Sequence, residues 1–132
     1  MLDRDAALQT VREVYAARVA GNKEDVAQYW ADDARFEFVG ESSVLHSVGL
    51  TAPSSIEGIG QLMDRFQFSD LELLDAVVEG DRIAARWKVT VATDGKNPVN
   101  TQLFDLITLN DQGKIQSFVQ FADTALVSQV AG

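Results

Sequence analysis

The carboxyl group of Asp105 stands in a pattern that would give it unusual acid–base chemistry. In the strand predicted over residues 82–93, apolar residues occupy every second position and mark one face as the core face. The turns at the two ends of the next strand place Asp105 roughly opposite Trp87 and Phe118 on that face. There, desolvation would raise its pKa and make it a hydrogen-bond donor. The alternatives are a structural Asp bonded to backbone or buried water, or a one-residue slip that turns it outward.

Two further polar residues are candidates to act with Asp105 as catalytic residues. Gln120 is predicted diagonal to it on the same face, where it would orient a ligand. His46 is the only histidine, and histidine exchanges protons near neutral pH, so it would serve as an acid or base if its loop closed over the pocket. The alternative is a solvated loop histidine. One histidine and no cysteine exclude multi-histidine and cysteine metal sites and disulfides, and no cofactor is expected.

Aromatic side chains are expected around the same interior. Most should belong to the core, and some should line a cavity, since ligand sites are mainly apolar with few polar groups. The candidates for ligand contact are Trp30, Phe36, Phe38, Phe66, Trp87 and Phe118. Phe121 is placed in the same interior.

The elements that must position these side chains begin with two predicted helices. Apolar residues at helical spacing, with the aliphatic stem of Arg18 on the same inward face, predict a helix over residues 3–20, with Asp3 as its cap and Gly21 at its end. Asn22 caps a second, shorter helix that runs through Trp30.

The segment between residues 31 and 66 is predicted to be less regular. It contains a turn at 31–34, a short alternating strand at 35–39 and a long loop at 40–55. A serine at position 54 or 55 then caps a third helix over 56–66. The loop is either functional, for example a lid, or a mobile insertion or dimer contact.

The remaining chain predicts four strands joined by hairpin turns, at 70–79, 82–93, 99–110 and 114–123, followed by a tail helix from Thr124 capped by Asp123. Helices first and antiparallel strands after is an α+β order. We expect a curved sheet wrapped around the helices, with a cavity inside the curve.

Composition excludes several classes of protein. The 132 residues suit one domain over 1–132, with 46% hydrophobic and 23% charged residues. The net charge of −9, without a cluster of Lys and Arg, argues against nucleic acid and anionic membranes as partners. No apolar run is long enough to span a bilayer, and the acidic start lacks the apolar core of a signal peptide. The expected location is cytoplasmic.

Several stretches together resemble a known superfamily. Residues 29–37, YWADDARFE, look like the Y-A-D-D-A-x-x-E stretch of the NTF2-like superfamily, which holds SnoaL-like polyketide cyclases, ketosteroid isomerases and limonene epoxide hydrolases. Residues 21–24, 56–58, 111–115 and 121–125 carry further similarities in the same order. The resemblance implies an NTF2-like (cystatin-like) α+β cone with one deep apolar pocket, usually in a homodimer.

Only some of the catalytic residues of these relatives have a matching residue at the same position in this chain. Ketosteroid isomerase pairs an Asp base with an oxyanion hole of a Tyr and a protonated Asp. By position the protonated Asp falls on Asp105, the base on Phe38 and the Tyr on Val14, while Tyr15 is expected to point elsewhere. The last-strand acid of the cyclases and epoxide hydrolases falls on Gln120, and no arginine is found beside Asp105 on the core face.

Three hypotheses about function follow. The first is an enzyme of isomerase or cyclase type that binds a small apolar molecule with a carbonyl or hydroxyl group, with Asp105 as hydrogen-bond donor to its oxygen. The second is a module that binds such a molecule without chemistry, which the missing base at Phe38 favours. The third is an interaction subunit of the NTF2-like kind.

The outer face of the sheet predicts a partner surface. It mixes Arg86, Lys88 and Thr90 with the apolar Phe104 and Leu106. Apolar side chains that point away from the core indicate an interface. A two-fold homodimer is the simplest outcome.

Overall fold

The computed structural model describes residues 3–47, 50–51, 57–93 and 95–131. Five helices and five strands occur in these ranges. They are α1 Arg4–Ala20, α2 Lys23–Gln28, β1 Trp30–Phe38, α3 Ser42–Ser47, α4 Glu57–Arg65, β2 Gln67–Glu79, β3 Arg82–Ala92, β4 Val99–Leu109, β5 Ile115–Ala122 and α5 Thr124–Ala131.

The strands form one curved, open sheet in the order β1-β5-β4-β3-β2. The pairs β2–β3, β3–β4 and β4–β5 are antiparallel, and β1 runs parallel to β5. Helix α1 packs against β2 and α2, and α4 contacts β1. The helices therefore cover the concave face of the sheet, and the α+β fold expected from the sequence is confirmed.

Helix α1 has the ends that its sequence predicts. The carboxylate of Asp3 accepts a hydrogen bond from the Ala6 backbone N–H at 2.7 Å. Gly21 ends the helix in the left-handed region, at φ 73°, and its N–H donates to the Arg18 carbonyl at 3.2 Å. The buried residues of the helix form one stripe, Ala7, Leu8, Val11, Val14, Tyr15 and Ala17.

Two glycine-to-alanine changes are expected to shift stability in opposite directions. A Cβ at Gly21 or at Gly60, which lies within α4, would meet no atom within 4 Å, so backbone conformation alone decides each case. Gly21→Ala should lower the free energy of unfolding by about 1 kcal/mol, because alanine resists a positive φ. Gly60→Ala should raise it by about 0.5–1 kcal/mol through helix propensity. Urea denaturation of both variants checks this, and a shift of the same sign in both would contradict it.

The four strands predicted after residue 69 are confirmed to within a few residues, and so is the tail helix. Asp123 caps it by accepting a hydrogen bond from the Leu126 N–H at 3.1 Å. The short helix α3 occupies part of the predicted loop. The serine caps predicted at 54 and 55, the start of the third helix at 56 and the turn residue at 94 lie outside the described residues.

The prediction for residues 29–34 was wrong. Helix α2 ends at Gln28, and the segment predicted as a turn belongs to β1. The Ile115 N–H donates to the Tyr29 carbonyl at 2.7 Å and starts the pairing with β5, which then changes register between Trp30 and Arg35. An irregular pairing of this kind interrupts the alternation of side chains, so the strand leaves no period-two signal in the sequence.

The predicted register of the last hairpins was wrong by two residues. Asp105 pairs with Ala85 on β3 and with Gln120 on β5, whereas Trp87 pairs with Leu103 and Phe118 with Ile107. The register also shifts between Thr108 and Leu109, next to the β4–β5 turn. Because side chains alternate with period two, an error of two residues leaves each on its predicted face.

Candidate functional site

Three buried polar side chains from three elements bond to one another beneath the sheet's concave face. Asp105 on β4 is fully buried, at 0% exposure. Its Oδ2 accepts a hydrogen bond from the Tyr15 hydroxyl on α1, and its Oδ1 accepts one from Gln120 Nε2 on β5 at 3.1 Å. Gln120 Nε2 also donates to the Tyr15 oxygen, at 3.0 Å. We call this closed triangle the Tyr15–Asp105–Gln120 cluster.

The alternation of the strands and the apolar stripe of α1 bring the cluster together. Asp105 and Gln120 are directly paired neighbours on β4 and β5, so they share the concave face. The Tyr15 ring is stacked on Trp87, with ring centroids 4.2 Å apart, which holds the hydroxyl against the carboxyl group. The prediction that Asp105 faces the core is confirmed. Gln120 lies directly opposite it, not diagonal to it as predicted.

The expectation that Tyr15 points elsewhere was wrong. Tyr15 is 3% exposed, and the neighbouring Val14 is buried as well. The apolar stripe of a helix is more than 100° wide, so two adjacent residues can both face the core. Tyr15 also lies four residues after the buried Val11, and that spacing was the signal that could have identified it.

Burial dominates the acid–base properties of the cluster. Desolvation raises the pKa of Asp105 from 3.8 to about 7, against the hydrogen bonds from Tyr15 and Gln120 and the indole of Trp87, which all favour the carboxylate. The Trp87 Nε1 makes no hydrogen bond in this geometry, so its effect is that of a nearby dipole. Burial, and then the Asp105 charge, raise the pKa of Tyr15 well above its ordinary value. Near neutral pH, Asp105 exchanges a proton and Tyr15 keeps its own.

A cavity of about 50 Å³ adjoins the cluster. Its described lining is apolar except for Tyr15, Arg18 and Gln120. The apolar residues are Val14, Val26, Trp30, Phe36, Ile59, Leu62, Phe68 and Phe118. Asp105 is not among the described lining residues, so Tyr15 and Gln120 stand between it and the cavity.

A wider cleft of about 300 Å³ lies beside the cavity. Cavity and cleft share Val26, Trp30 and Ile59 as lining residues, and the cleft adds charged groups such as Lys23 and Asp32. Trp30 is stacked on Phe118, with ring centroids 5.5 Å apart. The two spaces therefore adjoin, and Trp30 borders both.

Only some of the other candidate residues line the cavity. Three of the proposed ligand-contact residues, Trp30, Phe36 and Phe118, line the cavity. The others, Phe38, Phe66 and Trp87, are buried in the core but are not among its described lining residues. His46 is exposed on α3 and is likewise not among them. The placement of Phe121 in the interior was wrong, because it is 44% exposed.

An arginine does reach the cavity, from α1 and not from the sheet. Arg18 lies one helical turn after Tyr15, and its side chain lines the cavity. The sequence pattern marked it as part of the inward face, but only for its aliphatic stem. Arg18 and Tyr15 are the two polar lining residues that sequence reasoning did not select.

Other kinds of site have no support in the described ranges. No group of three or more His, Asp or Glu side chains there is placed to hold a metal ion. None of the helices described is long and apolar enough to cross a membrane.

A family model for the SnoaL-like domain matches residues 11–118, which include Tyr15 and Asp105. The chain belongs to the SnoaL-like family. Solved NTF2-like structures share the fold of this SnoaL-like protein over nearly its whole length, as the sequence resemblance implied. No curated protein matches its sequence.

Three of the similar structures illustrate the range of the fold. An NTF2-like protein of unknown function from Burkholderia pseudomallei superposes with a TM-score of 0.77 at 18% identity, over 96% of this chain and 97% of that one. A proposed isomerase from Rhodopseudomonas palustris gives 0.75 at 14%, over 99% and 98%. A proposed SnoaL-like polyketide cyclase from Jannaschia sp. gives 0.72 at 19%, over 99% and 97%. At these identities the likeness establishes the fold alone.

Proposed function

We propose that this SnoaL-like protein binds a small, largely apolar molecule and acts on its carbonyl or hydroxyl oxygen, in a reaction of isomerase or cyclase type. The observation that carries the proposal is the position of the Tyr15 hydroxyl, between an apolar cavity and a buried carboxyl group. A ligand oxygen in the cavity would meet Tyr15 first, with Asp105 behind it.

The protonation state of Asp105 decides what Tyr15 offers to that oxygen. When Asp105 is ionised, the Tyr15 O–H donates to it and is not free for a ligand. When Asp105 is protonated, its O–H donates to the Tyr15 oxygen, which already accepts from Gln120. The Tyr15 proton then turns into the cavity. Protonated Asp105 thus leaves the Tyr15 hydroxyl free to donate a hydrogen bond to the ligand oxygen.

We call this arrangement, in which Asp105 acts on a ligand oxygen through the Tyr15 hydroxyl, the relay. It suits a reaction in which charge develops on the substrate oxygen. A preorganised donor at such an oxygen contributes about 3–4 kcal/mol to stabilising the transition state. An acid with a pKa of about 7 exchanges its proton readily at neutral pH. Polarisation of a carbonyl group begins both isomerisation and cyclisation, which is why we favour these classes.

Binding of a neutral ketone such as cyclohexanone is expected to weaken about tenfold between pH 6 and pH 8, because only the protonated form of Asp105 frees the Tyr15 proton. Asp105→Asn should keep the pH 6 affinity at pH 8. Gln120 holds the asparagine oxygen, so the asparagine N–H₂ donates to Tyr15 as the protonated acid does. NMR titration measures both affinities.

The matched control is Asp111→Asn, which changes an exposed carboxyl group in the β4–β5 turn. It should bind the ketone with the pH dependence of the wild type. An Asp105→Asn protein that is folded but retains the wild-type pH dependence would refute the relay.

A binding module without chemistry is the second candidate. It is favoured by Phe38, a buried aromatic residue at the position where the resemblance to isomerases places the base. The described lining of the cavity holds no carboxylate or histidine that could take a proton from carbon. A ligand that binds with the predicted pH dependence but is recovered unchanged would favour this candidate.

We also propose a homodimer formed through the outer face of the sheet. Phe104 and Phe121 are each 44% exposed there and contact each other edge to face, and Val77 is 65% exposed. Sedimentation is expected to show a dimer at micromolar concentration and a monomer for Phe104→Glu, since a buried charge opposes association. A wild-type monomer at that concentration would contradict the proposal.

A further inference from the structure

Arg18 brings a positive charge into the apolar cavity. Its guanidinium carbon lies 3.8 Å from the centroid of the Phe68 ring, and its Nη2 donates to the Leu62 carbonyl at 3.2 Å. The side chain is only partly exposed and lines the same cavity as Tyr15. One face of the guanidinium group is therefore covered by the ring of Phe68, and both of its contacts, Phe68 and Leu62, themselves line the cavity.

The charge of Arg18 is not neutralised by a carboxylate in the described part of the chain. Lys23, the next cation along the chain, forms its salt bridge with Asp64 on the surface. Desolvation lowers the pKa of Arg18 to about 10, which reflects the cost of holding a cation there. Buried charges in proteins are normally paired. A guanidinium group carries five N–H donors, and the bond to Leu62 uses one of them.

We propose that Arg18 binds a carboxylate of the ligand, so that the molecule taken up by the cavity and the cleft beside it is a small apolar acid. Together with the proposed function, on which this part rests, the ligand is a keto acid or hydroxy acid, with its neutral oxygen at Tyr15 and its carboxylate at Arg18. Arginine binds a carboxylate through two parallel hydrogen bonds, a geometry for which its planar donors are suited.

The two residues lie on one side of the same helix. Tyr15 and Arg18 are three residues apart on α1, and both line the cavity. A small molecule with a neutral oxygen at one end and a carboxylate at the other is therefore the simplest ligand that contacts both. A purely structural role for Arg18, in which its side chain links α1 to α4, would explain the hydrogen bond to the Leu62 carbonyl. That role would require neither the positive charge of Arg18 nor its remaining N–H donors.

The test compares 4-oxocyclohexanecarboxylate with its primary amide, which has nearly the same shape and no charge. Isothermal titration calorimetry at pH 6.5 and low salt should show the acid binding wild type about tenfold or more tightly than the amide. Arg18→Met, which keeps an apolar stem, should lose this preference and bind the acid no more tightly than the amide. Arg18→Lys should retain part of it.

The matched control is Arg12→Met, on the exposed side of the same helix, which should keep the full preference for the acid. Equal binding of acid and amide by the wild type, or an undiminished preference in Arg18→Met, would overturn the assignment of Arg18. Amide binding by Arg18→Met shows that the variant is folded, and if it binds no amide, Arg18→Lys decides by the same comparison.

Tyr15→Phe separates this inference from the proposed function. If the acid is preferred through Arg18 but Tyr15→Phe binds it as well as wild type, the relay is wrong and the carboxylate site stands. If wild type binds both probes equally and Tyr15→Phe weakens the binding of both, the carboxylate site at Arg18 is wrong and the relay stands. Binding of neither probe by wild type would overturn both proposals.

Discussion

Between pH 4 and pH 7, wild-type protein is expected to lose about 4 kcal/mol of stability relative to its Asp105→Asn variant. In the unfolded chain the carboxyl group ionises near 3.8, whereas in the native state burial holds its pKa at about 7. Through this window the unfolded state binds fewer protons than the native state, so rising pH favours unfolding by about 1.4 kcal/mol per pH unit. The protonated Asp105 carboxyl group makes its full contribution to the free energy of unfolding below pH 4 and has lost it above pH 7.

Urea denaturation of both proteins at several pH values between 4 and 7.5 measures this difference. Comparing two variants removes the effect of the other acidic groups, which is large in a chain of net charge −9. Asp111→Asn, on the surface, should follow the wild type. Parallel stability curves for wild type and Asp105→Asn would show that the carboxyl group is not buried as described.

Tyr15→Phe is expected to have the largest effect on function, because it removes the hydroxyl through which Asp105 would act on a ligand oxygen. If the protein is an enzyme, turnover should fall about a hundredfold or more, as when an oxyanion-hole donor is deleted. The ring remains stacked on Trp87, so the fold should survive a loss of about 1–3 kcal/mol from the broken buried hydrogen bond.

The same substitution should raise the pKa of Asp105 above about 7, since the Tyr15 hydrogen bond favours the carboxylate. Carbon-13 NMR titration of the carboxyl group measures this without any ligand. Tyr29→Phe is the matched control, because Tyr29 is the other tyrosine and lies outside the described lining of the cavity. An unchanged or lowered pKa of Asp105 in Tyr15→Phe would contradict the hydrogen bond.

The inward direction of the Asp105 side chain could be predicted from the sequence because it depends only on which of the two alternating faces of β4 the residue belongs to. The alternation along β3 is regular, and an error of two residues in pairing leaves the face unchanged. The direct pairing with Gln120 could not be predicted, because it depends on the register shift next to the β4–β5 turn. Irregular pairing also hid the first half of β1.

The parts of the site on α1 were harder to predict. Transfer by position chose Val14, while the rotation of the helix against the sheet brings Tyr15 to Asp105. Which residue of a wide apolar stripe meets a given strand is fixed by tertiary packing. For Arg18 the sequence shows an inward position, but whether an acidic side chain neutralises its charge depends on neighbours from other elements.

Trp30 and Trp87 are the only tryptophans in the chain, and both lie at the site. Trp30 stands in the wall of the cavity, and Trp87 is stacked on Tyr15. The protein therefore carries its own optical reporters, and its entire indole emission comes from the cavity and the cluster beside it. Replacing either by phenylalanine would assign the signal, so that stopped-flow fluorescence could follow ligand binding at Trp30 separately from proton movement beside Trp87.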